Sequence, residues 1–121
     1  MKKKVYGQIG KLKRDKIEEY TSLHANVWPE VLETIHRCNI QNYSIFLQDD
    51  MVFAYFEYIG DDYDKDMMLM EVDEMTQKWW KHTKPCFVKY AISSESEFYH
   101  DMKQIFDFEL LKMHIDRKRA K

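Results

Sequence analysis

Apolar positions along the chain change period several times, and each change marks an element. Val5 to Leu12 alternates well enough for a first strand, in which Gly7 and Gly10 remove side chains and let a neighbour approach the backbone. From Asp15 onward Ile17, Tyr20, Leu23, His24, Val27, Trp28, Val31, Leu32 and Ile35 recur at spacings of three and four, the stripe of a helix that packs one face. Pro29 lacks a backbone donor and disfavours helical geometry at Trp28, so a kink or break is expected just after His24. Asn39 to Gln48 predicts a strand with Tyr43, Ile45 and Leu47 on one face and Asn42, Ser44 and Phe46 on the other. The turn pair Asp49-Asp50 leads into a second strand, Met51 to Tyr58, closing an antiparallel hairpin. Asp61 to about Thr83 predicts a second helix, with Tyr63, Met67, Met70, Met75 and Trp79 near helical spacing and Pro85 just beyond its end. A loop with Ser93, Ser94 and Ser96 follows, then a last strand over Met102 to Phe108. From Glu109 the charged remainder predicts an exposed helix carrying Leu110, Leu111, Met113 and Ile115.

This order, β-α-β-β-α-β plus a tail, is that of an α+β ferredoxin-like unit, an antiparallel sheet with its helices on one face. Residues 1–109 form the single domain and 110–121 a charged extension. Phe46, Phe53 and Tyr55 put apolar side chains on the hairpin face that the helices do not cover, and a second subunit's sheet is the expected cover. The expected assembly is therefore a homodimer built as an α/β barrel.

Composition narrows the function. At 121 residues, one core of modest size is expected, enriched by an aromatic content of 15%. Nineteen basic and 21 acidic residues are interspersed, for a formal charge of −2, so no basic field exists to hold a phosphate backbone and nucleic acid is not an expected partner. Cys38 and Cys86 lack CxxC spacing and neighbouring ligands, which argues against a disulfide framework and a zinc site. The basic start lacks an apolar signal core, and no apolar stretch is long enough to span a bilayer; a cytoplasmic protein without membrane partners is expected.

Among the residues able to carry chemistry, Tyr20 and His24 lie four apart and so project from one helix face toward one small ligand. Only His24 titrates near neutrality, and histidine suits sugar ring opening, in which one proton goes to the ring oxygen and another leaves the anomeric hydroxyl. Spacing alone favours a core histidine satisfied by one hydrogen bond over a catalytic one. Trp79-Trp80 point about 100° apart on a helix. They fit an aromatic wall for a sugar or a core-plus-interface pair, and Tyr43 carries the same ambiguity. The acidic run Asp61, Asp62, Asp64 and Asp66 reads as caps and solvated face, and Met67, Met68 and Met70 as adaptable packing. His36, His82, His100 and His114 show no metal-ligand spacing.

Taken together, Tyr20-x-x-x-His24-x-x-x-Trp28-Pro29-Glu30, then Asn42-Tyr43-Ser44-Ile45-Phe46-Leu47, then Trp79-Trp80-Lys81, resemble the L-rhamnose mutarotase family, in order and over nearly the whole chain. The resemblance implies a dimeric ferredoxin-like fold, no cofactor or metal, and interconversion of the anomers of L-rhamnose or a close 6-deoxy relative such as L-fucose. It also implies that His24 is the proton donor and that Tyr20, Tyr43, Trp79 and Trp80 contact the monosaccharide. Glu30 is the next candidate for proton transfer. Two departures from the family pattern are a stretch from Lys84 to His100 without its usual Pro/Asn-rich character and a chain that continues past the last strand. A cofactor-independent or haem-degrading monooxygenase on the same barrel, and a non-catalytic sugar-binding dimer, are the alternative functions.

Overall fold

The computed structural model describes residues 3–88 and 98–119. Four strands, β1 (Lys4–Lys11), β2 (Ile40–Gln48), β3 (Met51–Tyr58) and β4 (His100–Met102), form one antiparallel sheet in the order β2-β3-β1-β4. That is the strand order of the ferredoxin-like arrangement, with the last strand beside the first. In β3, Val52, Ala54, Phe56 and Tyr58 are buried beneath the helices. Phe46 and Tyr55, on the other face, stay exposed.

The predicted first helix is two: α1 (Ile17–Ala25) and α2 (Pro29–Arg37). The break falls where proline requires it, with Trp28 extended at ψ 136° and Pro29 at the first helical position, where a missing N–H costs nothing. The predicted second helix is also two, α3 (Tyr63–Val72) and α4 (Glu74–Thr83). Asp73 adopts extended geometry between them, and its carboxylate accepts from the Thr76 N–H at 3.0 Å and the Thr76 hydroxyl at 2.8 Å. A side-chain cap thus replaces helix continuation, the usual competition between Asp and the helical backbone. Met67 and Met70 pack on the core formed by Cys38, Ile40, Phe56 and Tyr58, whereas Met68 is exposed. Of the acidic run, Asp62 caps α3 through the Lys65 N–H, but Asp66 is no solvated face: it accepts from the Tyr58 hydroxyl and from Asn39.

The last strand differs from expectation. β4 spans only His100–Met102, opposite Ile9, Gln8 and Gly7, and from Lys103 the chain leaves the sheet. The apolar residues that suggested a strand as far as Phe108 are largely outside the core, Ile105 being 90% exposed, so their pattern did not report burial. α5 (Phe108–Arg119) follows, its Leu110 N–H bonded to the Asp107 carboxylate. Ser93, Ser94 and Ser96 lie outside the described residues. Among the described residues no helix is long and apolar enough to cross a membrane.

One strand glycine has a clear steric reason. A Cβ on Gly10 would stand 2.8 Å from both the Phe87 ring and the Phe98 carbonyl oxygen, so the missing side chain lets that segment lie directly on β1. A Cβ on Gly7 would meet only the end of Met102 at 3.7 Å.

Candidate active site

Between the helices and the helix-facing side of β2 lies a cavity of about 620 Å³. Tyr20, His24, Tyr43, Trp79 and Trp80 all line it. Glu30, in the exposed first turn of α2, does not.

Helical spacing puts Tyr20 and His24 one turn apart on α1, ring centroids 4.2 Å from each other. The His24 Nδ1 is 2.9 Å from the Tyr20 carbonyl oxygen. A carbonyl only accepts, so Nδ1 carries the proton and Nε2 is the ring's lone-pair nitrogen whenever the imidazole is neutral. Burial lowers the His24 pKa from its ordinary 6.5, and the Tyr20 carbonyl only partly offsets this. The imidazole is therefore neutral at pH 7, a base ready to accept a proton.

The two tryptophans divide as their angular separation predicts. Trp79 is buried and packs edge-on between His24, at 5.5 Å, and Trp28, at 5.3 Å. Trp80 is half-buried, with the Lys84 ammonium 4.5 Å above its ring. Trp28 backs Trp79, and its position follows from the same Pro29 that ends the first helical segment.

Tyr43 extends from β2 next to a bulge at Gln41/Ser44, where Asn42 adopts a left-handed φ of 50°. The bulge re-aims the strand, and the Asn42 amide is fixed by a 2.7 Å bond to Glu57. Tyr43 is 42% exposed, yet its phenol pKa is raised, mainly by desolvation. The two agree because a side chain on a cavity wall is accessible and at the same time surrounded by protein.

Sequence reasoning missed Tyr99, Lys84, Phe87 and Phe98, which also line the cavity. The Tyr99 hydroxyl is 2.8 Å from that of Tyr20. Burial raises both phenol pKa values, so both carry their protons at neutral pH. No periodic signal marks Tyr99, which precedes a three-residue strand. Lys84 carried a signal of position only, one turn past Trp80. Among the described residues no group of three His, Cys, Asp or Glu is placed to hold a metal ion.

The L-rhamnose mutarotase family model matches residues 5–108. The chain is 35% identical over 94 residues to an L-rhamnose mutarotase of Oceanobacillus iheyensis, covering 76% of this chain and 86% of that protein. It is 37% identical over 93 residues to one of Listeria monocytogenes, covering 74% and 83%. In fold it is similar to the crystal structure of an L-rhamnose mutarotase from Formosa agariphila, with a TM-score of 0.67 and 20% identity over 86% of this chain and 97% of that one. It is also similar to tetracenomycin F2 cyclase from Streptomyces glaucescens, with a TM-score of 0.62, 10% identity and the same coverage. Since one fold thus carries unlike chemistries, the fold does not decide between them; the sequence match, which spans the strands and helices that carry Tyr20, His24, Tyr43, Trp79 and Trp80, does. This chain belongs to the L-rhamnose mutarotase family.

Proposed function

We infer that the protein interconverts the α and β anomers of L-rhamnose by general acid/base ring opening and closure, with His24 as the catalytic base and acid. The observation that carries this reading is a neutral imidazole, its Nε2 lone pair without a hydrogen-bond partner among the described residues, on the wall of an aromatic cavity of about 620 Å³, ample for a monosaccharide. In the opening direction Nε2 takes the proton of the anomeric hydroxyl, and the C1–O5 bond breaks as the ring oxygen gains a proton. Rotation about C1–C2 and closure on the other face reverse both transfers, His24 then returning its proton to O1. Proton donation by His24 is thus the second half of its cycle. Tyr20, Tyr43, Trp79 and Trp80 form the sugar site: the indole faces pack on C–H bonds and the 6-methyl group, and the Tyr43 phenol bonds a hydroxyl, while the Tyr20 hydroxyl is engaged by that of Tyr99.

The exposed apolar sheet face with Phe46 and Tyr55 supports a homodimer in which a second copy covers it. Both cysteines are free and buried, which fits a reducing compartment, and we place the protein in the cytoplasm.

Saturation-transfer NMR on the two anomeric protons tests the activity, with L-rhamnose, L-fucose and L-mannose compared side by side. Exchange of L-rhamnose faster than in buffer is expected, and His24→Ala should lower it about 100- to 10,000-fold. A loss below about tenfold would assign the proton to another group. Binding of sugar without acceleration would reveal a non-catalytic protein.

A further inference from the structure

Ring opening moves two protons, and His24 has one nitrogen for them, because Nδ1 is held by the Tyr20 carbonyl. A second group must protonate the ring oxygen as the C1–O5 bond breaks. Among the described residues lining the cavity there is no Asp, Glu or Cys; the acids on its wall are the phenols of Tyr20, Tyr43 and Tyr99 and the Lys84 ammonium. Lys84 lies over the rings of Trp80 and Phe98, at 4.5 and 5.3 Å.

We propose that Tyr99 is the second proton-transfer group of this site, delivering its phenolic proton to the sugar ring oxygen while the Tyr20 hydroxyl hydrogen-bonds to the oxygen left behind. This inference rests on the mutarotase reading above.

Three observations support it. The two hydroxyls are 2.8 Å apart, and either can donate, so the pair can turn its donation toward whichever oxygen carries charge. Tyr99 is half-buried on the cavity wall whereas Tyr20 is only 4% exposed, so Tyr99 is the more accessible partner and Tyr20 backs it. Finally, the Tyr20 ring lies tilted against His24 with centroids 4.2 Å apart, which places the base and the phenol pair on one wall, as proton transfer at O1 and O5 of the same carbon demands.

The balance is complete. The O1–H proton passes to Nε2, the C1–O5 electron pair stays on O5, the Tyr99 proton joins it, and O1 becomes the aldehyde oxygen. Closure returns the O5 proton to the Tyr99 phenolate and the Nε2 proton to O1. Among the described residues, the titratable groups around the pair are His24 from α1, Tyr43 from β2, Cys86, which packs with Tyr20 in the core, and Lys84, which follows α4.

The test uses the full chain, with L-rhamnose anomer exchange read by NMR. Tyr99→Phe should lower kcat about 100-fold or more while KM changes about threefold or less, and Tyr20→Phe should lose less than that. Lys84→Met should likewise lose less kcat than Tyr99→Phe, on the same scale. Replacing Tyr99 by fluorotyrosines of increasing acidity should bring an alkaline limb of kcat to progressively lower pH, which a packing role would not do. That substitution preserves shape and keeps the test valid if the phenylalanine variant folds poorly. Retention of kcat within about threefold in Tyr99→Phe, a larger loss in Tyr20→Phe or Lys84→Met, or an alkaline limb that ignores fluorination would each overturn the assignment. If the wild-type protein does not speed exchange at all, the mutarotase reading fails and this one with it.

Discussion

Gly10→Ala is the substitution whose cost the structure fixes most directly. The added Cβ would stand 2.8 Å from Cε1 of Phe87, 3.3 Å from its Cδ1, and 2.8 Å from the Phe98 carbonyl oxygen. Phe87 is itself buried in the core with Leu12, Tyr20, Val52 and Cys86, so its ring has little room to retreat. The carbonyl belongs to the segment leading into β4, so relief on that side requires the backbone to move. Overpacking of this kind costs about 1–3 kcal/mol. It outweighs the roughly 0.5–1 kcal/mol that alanine gains over glycine within a strand. Gly7→Ala, whose Cβ meets only a flexible methionine end at 3.7 Å, is the comparison and is expected to be near neutral. Urea unfolding should show a lower midpoint with an unchanged slope for Gly10→Ala. Because Phe87 and Phe98 also wall the cavity, its kcat/KM for sugar exchange should fall as well. Stability within about 0.5 kcal/mol of wild type would refute the claim that β1 is glycine there to admit this segment, since effects of that size are ordinary for surface changes.

Acidification should remove activity through His24. Burial lowers its folded pKa below the unfolded 6.5, so the unfolded chain takes up the proton first. Activity and the associated stability are fully present above pH 6.5 and are lost as pH falls through the lowered folded value; an acid limb of kcat/KM centred above 6.5 would contradict this. Asp73→Ala removes both bonds to Thr76 and should cost about 0.5–2 kcal/mol in chemical denaturation, with Asp73→Asn retaining most of the stability. Trp79→Ala, at a buried position between His24 and Trp28, should cost about 3–5 kcal/mol and activity together. Trp80→Ala, at the half-buried rim, should act mainly on KM, and equal destabilisation by the two variants would refute that division.

Periodicity found what local physics determines. The Tyr20/His24 face, the break imposed by Pro29, and the hairpin around Asp49-Asp50 all follow from spacing and backbone chemistry within a few residues. Asp73-x-x-Thr76 was equally local, yet the apolar stripe hid it, because Met67, Met70, Met75 and Trp79 keep near-helical spacing in the sequence on both sides of the cap. Met102 to Phe108 misled for the opposite reason: alternation reports burial only where something covers the side chains, and beyond Met102 little does. Tyr99 was beyond local reasoning altogether. Its significance is a contact with Tyr20 across 79 residues of sequence, created when β4 docks on β1.

The chemistry of the cavity follows from the same burial that shapes it. Desolvation pushes His24 toward its neutral form and the three phenols toward theirs, so apart from the Lys84 ammonium the described wall holds uncharged acids and a neutral base. In so low a dielectric an isolated imidazolium or phenolate is costly, whereas the two formed together, across one carbon of the sugar, stabilise each other strongly. A reaction that shifts one proton onto the imidazole and another off a phenol in the same step creates only that pair, and ring closure erases it. Hydrolysis would gain nothing from such a wall, since among its described residues there is no carboxylate pair to divide the roles of acid and nucleophile. Reversible exchange of two protons on a neutral sugar is the reaction these environments favour, and for that reason the Tyr20–Tyr99 contact deserves the same experimental weight as His24.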